Sequence, residues 1–179
     1  MDLDSFPHEV TRMVFDTGQP YEEFRARYED AVPEHDYKRM AAFAERGTPW
    51  PEVVADEDAS APHGFSIFWR SDLTPVMSLA GEFARCTAYL MGNHTIAEQM
   101  YRHDPLGMLY VPLRTVIYVD AAGRTRFAVD RPSTVLASFA SRPIFQVGTE
   151  LDRKLAALLG ALDVPARQAL EHAACPHQP

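Results

Sequence analysis

Apolar and polar residues alternate along several short stretches of this chain and recur every three or four positions along others. Residues 9–15 alternate, with Thr11, Met13 and Phe15 opposite Val10, Arg12 and Val14, which predicts a short strand. After Pro20, the residues Tyr21, Phe24 and Tyr28 share one helical face, and Pro33 ends that helix. A second helix over 34–46 is expected to bury Tyr37, Met40, Ala41 and Ala44. Residues 47–62 hold three prolines and the run Asp56-Glu57-Asp58, and read as a solvated surface loop. Residues 64–70 form the next strand, with Phe65, Ile67 and Trp69 on one face. A short link over 73–80 leads to a third strand at 85–91, closed by the turn Gly92-Asn93-His94.

Thr95 and Glu98 stand at capping-box spacing ahead of a helix reaching about residue 103, where Asp104-Pro105 stops it. The longest strand is expected at 111–119, with Leu113, Thr115, Ile117 and Val119 on one face and Arg114, Val116 and Tyr118 on the other. Asp120 to Gly123 turns it into a last strand at 124–130. From Pro143 to about residue 162, Val147, Leu151, Leu155, Leu158 and Leu162 form one apolar stripe, with Asp152, Arg153 and Lys154 on the other side. Consecutive hairpin-like strands followed by a long amphipathic helix predict an α+β fold, an antiparallel five-stranded sheet with helices packed on one face. The domain is expected to span residues 1–162, with 163–179 as a tail.

Composition narrows the function classes. At 179 residues and 46% hydrophobic, the chain can bury a core as one domain. A net charge of −8 argues against nucleic acid as a partner. No apolar run approaches the ~20 residues of a membrane span, and the N-terminus lacks an apolar signal region. Two cysteines, Cys86 and Cys175, make no disulfide framework, which places the expected location in the cytoplasm; Cys86 reads as a small buried hydrophobe. No glycine-rich phosphate loop, nucleophile elbow or zinc-protease motif is present.

Gly92-Asn93, then Val111-Pro112-Leu113-Arg114, the Asp120-Ala-Ala-Gly hairpin and Asp130-Arg131-Pro132 together resemble the family called domain of unknown function 302. The resemblance implies a β-α-β4-α fold of the TATA-binding-protein-like group, often dimeric, and names no reaction. The family usually has proline after Gly-Asn, whereas this chain has His94, and its segment 37–62 is longer than the family's link.

Candidate chemistry gathers at the turn. His94 reads equally as a binding or acid–base histidine at a helix N-terminus and as a polar turn residue. Arg114 is either a buried cation awaiting an anion or an exposed or interface residue, according to which sheet face the helices cover. Asn93, His63, Trp69, His103 and Tyr118 are the candidate ligand-binding residues around them, against core or capping roles for each. His94 and His103 do not share a helical face and make no metal pair. The terminal His172, Cys175 and His177 are a weak ligand set, so no metal site is expected.

Three functions fit: a small-molecule binder with a cavity between sheet and helix, taking an organic ligand that is anionic or carries a carbonyl; a cofactor-free lyase, isomerase or cyclase using His94 as acid or base and Arg114 as oxyanion stabiliser; or a homodimer with a purely structural role. Nothing in the sequence names a cofactor.

Overall fold

The computed structural model describes residues 3–171. Its centre is a five-stranded, wholly antiparallel sheet of order β1-β5-β4-β3-β2, built from β1 (Arg12–Asp16), β2 (Ser66–Asp72), β3 (Cys86–Gly92), β4 (Leu113–Val119) and β5 (Thr125–Asp130). Strands β2 to β5 follow one another as a meander, and β1 closes the β5 edge with Phe15 opposite Phe127. On β4, Leu113, Thr115 and Ile117 are buried while Arg114 is exposed, so the helices cover the leucine face.

Two helices supply most of that cover. In α1 (Tyr21–Ala31), Tyr21, Phe24 and Tyr28 are buried. The Tyr28 hydroxyl lies 3.2 Å from Thr115 Oγ1 and donates to Met91 Sδ, and Tyr21 Oη lies 2.6 Å from Thr87 Oγ1. These contacts let two threonines sit fully buried, because their hydroxyls have partners. Helix α7 (Arg142–Ala161) packs its predicted stripe beside α1, with Leu155, Leu158 and Leu159 fully buried. Its Asp152 does not face solvent as expected. It is buried, accepts from Ser133 N and Oγ, and pairs with Arg131 at 2.9 Å. Gly148 of α7 meets the start of α6 (Pro132–Leu136) so closely that an added Cβ would stand 2.8 Å from Ser133 Cα.

Several boundaries differ from the sequence reading. Residues 47–62 are not a loop: α3 (Trp50–Ser60) runs through them, begun by proline and burying Val53 and Glu57. The preceding α2 (Tyr37–Arg46) buries no residue, and Tyr37 is exposed, contrary to the expected packing. Strand β2 carries a bulge: Ile67 pairs with Met91 but Trp69 with Leu90, leaving Phe68 as the extra residue. The bulge reverses the alternation, so Trp69 leaves the face of Phe65 and Ile67 and stands half-exposed.

A short α4 (Thr74–Ser78) links β2 to β3, and α5 (His94–Tyr101) with a 3-10 turn (Pro105–Leu109) separates β3 from β4. Beyond Leu162 the chain stays docked: Val164, Ala166 and Leu170 are buried, Ala166 just before and Leu170 within α8 (Arg167–Glu171). The weak candidate ligand set His172, Cys175 and His177 lies outside the described residues. Among the described residues no helix is long and apolar enough to cross a membrane.

Candidate functional site

Three separate chain segments meet at the N-terminus of α5. The first is residues 33–35, which pair in parallel with β2: His35 N donates to Ile67 O at 2.9 Å and Ile67 N to Pro33 O at 2.8 Å. This bridge holds His35 against the bulge, where Phe68 stacks on its ring. The second is α3, a turn beyond Val53, which presents Glu57. The third is His94, the first residue of α5. Asn93 caps that helix, its Oδ1 accepting from Thr95 N at 2.8 Å, Ile96 N at 3.3 Å and Thr95 Oγ1 at 2.6 Å. The cap is therefore Asn93 and not the expected Thr95–Glu98 box. It also occupies two of the helix amides that an anion would have used.

His35, Glu57 and His94 converge, with one ligand-capable atom of each lying within 4.8 Å of the others. The side chains of His35 and Glu57 are each 1% exposed, and their nearest N–O approach is 3.9 Å. Both ring nitrogens of His35, both carboxylate oxygens of Glu57 and Nδ1 of His94 are buried without a hydrogen-bond partner. The His35 and His94 ring centroids are 4.7 Å apart. Burial, then the neighbouring His94 and Arg39, push the His35 imidazole down to about 4, so it is neutral at pH 7. Arg39 lies alongside, 3.0 Å from Asp56.

On its other side His94 borders a cavity of about 260 Å³ between α5, the 3-10 turn and the entry to β4. Its walls are mostly apolar, with Ile96, Met100, Met108, Leu113 and Leu151 among them, and Asn93 and His94 are the polar residues that line it. The Val111–Pro112 peptide bond beside it is cis.

Of the residues expected at the site, Asn93 and His94 line this cavity and the others do not. Arg114 is exposed on the uncovered sheet face, beside a separate recess of about 50 Å³ that it shares with Asp130. Trp69 and Tyr118 lie on that same outer side, turned there by the bulge and by strand alternation. His63 is half-buried in the turn before β2. His103, past the end of α5, lines an open groove of about 580 Å³ with Trp50 and Lys154. The shared His94–Arg114 site is thus not formed. The residues that do join His94 are Glu57, which the loop expected at 47–62 hides, and His35 and Phe68, which a backbone bridge and a bulge bring there. The signal was present: Pro49-Trp50-Pro51 is a helix start, and Glu57 follows Val53 by one turn.

The fold and this site now meet the known proteins. The family model described as Domain of unknown function DUF302 matches residues 47–162, more than half of the chain. The chain belongs to that family. It is similar to the crystal structure of an uncharacterized conserved DUF302 protein from Bacillus stearothermophilus, with a TM-score of 0.59 and 14% identity, over 83% of this chain and 95% of that one. That likeness carries the fold alone. No curated protein matches the chain. Glu57 and His94 lie inside the matched region and His35 before it.

Proposed function

We propose that this domain binds a small organic molecule in the cavity beside α5, with an apolar body against Met100, Met108 and Leu151 and one oxygen-bearing end toward His94. The observation that supports this is the cavity itself: mostly apolar walls with His94 and Asn93 as its polar lining residues. At about 260 Å³ it falls just below the usual ligand range of ~300–1,000 Å³, which selects a compact ligand. A carbonyl or a carboxylate would serve as the polar end. Binding is preferred over catalysis because Arg114, the expected oxyanion stabiliser, stands on the outer face of the sheet. Titration of the protein with hexanoate and with 2-hexanone, followed by amide NMR shifts, tests the proposal. Shifts clustered at Phe68, residues 92–113 and Leu151, and lost in Ala97→Phe, support it. No saturable shift with either probe, or shifts unchanged by Ala97→Phe, refutes it.

We also propose that a second copy of the chain covers the outer sheet face. Val14 and Trp69 are 47% and 49% exposed there, and Val14, Ala128 and Val116 lie side by side in register. Arg114 and the Arg12–Asp130 ion pair border this strip, so two copies related by a two-fold axis can set Arg114 against the partner's Asp130. Light scattering should give twice the chain mass of 20.1 kDa, and a single-chain mass would refute it.

A further inference from the structure

We infer that His35, Glu57 and His94 together form a binding site for one divalent first-row transition-metal ion of the zinc type. The inference stands whether or not the neighbouring cavity takes a ligand. It rests on two independent features: the convergence of three donor side chains from three segments, and the lack of any hydrogen-bond partner for their buried donor atoms. A carboxylate 1% exposed with neither a hydrogen bond nor a close cation is a costly arrangement for a folded chain. A metal ion between the three side chains gives Glu57 and one buried nitrogen of each imidazole a partner at once.

The donor set selects the ion. Two imidazoles and one carboxylate suit zinc, cobalt, nickel or iron(II), whereas magnesium and calcium prefer all-oxygen cages. Zinc bonds of about 2.0–2.1 Å place tetrahedral ligands roughly 3.3 Å apart. The ligand atoms, now within 4.8 Å, therefore need only close side-chain shifts. His35 is held by its backbone bridge to β2 and by stacking on Phe68, so the closing movement falls to Glu57 and the partly exposed His94. The surrounding charge is favourable. Arg39 is paired with Asp56, and Asp36 also lies by His35, so with Glu57 the carboxylates outnumber the one cation. Three protein ligands leave a further coordination position for water or an incoming group.

The test uses the full chain, stripped with chelator and dialysed against cobalt(II) or zinc(II). Metal content, the visible cobalt spectrum and calorimetric titration are then compared across variants. The expected result is one equivalent bound by the wild type, with affinity at least tenfold weaker in Glu57→Gln, His35→Gln and His94→Gln. The double variant Cys175→Ser, His177→Gln should bind as the wild type does. Circular dichroism identifies any variant that fails to fold, and His94→Gln, at a partly exposed position, serves if the buried changes do. Less than a tenth of an equivalent in the wild type overturns the inference. So does a full equivalent retained undiminished in folded His94→Gln, or one lost only in the Cys175, His177 variant.

Discussion

The ring of Phe68 lies flat on the ring of His35, with centroids 4.2 Å apart and planes 7° from parallel. Phe68 can do this because it is the extra residue of the β2 bulge, freed from strand alternation. Phe68→Ala should uncover His35. Since burial is the main cause that depresses the His35 imidazole to about 4, its NMR titration in chelator-treated protein should move upward toward ~6.5. Removing a half-buried ring should also cost about 1–3 kcal/mol in urea unfolding. A His35 titration that stays put would show that Phe68 does not shield it.

Leu155 is fully buried in the middle of the α7 stripe. Leu155→Ala should lower the unfolding free energy by about 2–5 kcal/mol. An unchanged denaturation midpoint would contradict the docking of α7 on the sheet.

Gly148 lies where α7 crosses the start of α6, and the atom its missing Cβ would strike belongs to backbone. Gly148→Ala improves helix propensity yet should destabilise, by roughly 1–3 kcal/mol, because the helices must part. Thermal unfolding decides the sign: a higher melting temperature would mean that propensity outweighs the clash.

Cys86 is half-buried, and burial followed by the Asp72 charge raises its thiol above the ordinary range. A raised value leaves less thiolate at any given pH below it, and the thiolate is the nucleophile. In a Cys175→Ser background, alkylation by iodoacetamide should be slower than that of a free thiol at pH 8.5, with its pH–rate midpoint above ~8.5. A midpoint at or below that of free cysteine would refute the shielding.

The core was legible in the sequence, and the site was not. The stripe from Val147 to Leu162 and the inward face Leu113, Thr115, Ile117 are periodic, and periodicity is what burial leaves in a sequence. His94 was legible because it follows a Gly-Asn turn. Its partners carry weaker marks or none. His35 is placed by a two-bond backbone bridge with no side-chain pattern, and Glu57 sits in an acidic run that resembles any solvated surface. Arg114 was misassigned to the site because alternation shows that two faces exist, not which one the helices cover. The bulge at Phe68 is equally silent, since one inserted residue leaves the composition of a strand unchanged.

Helix α2 begins directly after the bridge that pins His35, sets its Tyr37 ring edge-on to that imidazole at 4.8 Å, and contributes no buried residue to the core. Its opening would therefore sacrifice little packing, while the sheet beneath stayed whole. Fraying of this one superficial helix would then lift the Tyr37 ring off the His35 imidazole without global unfolding, and amides of residues 38–46 should exchange with deuterium well ahead of those in β3 and β4.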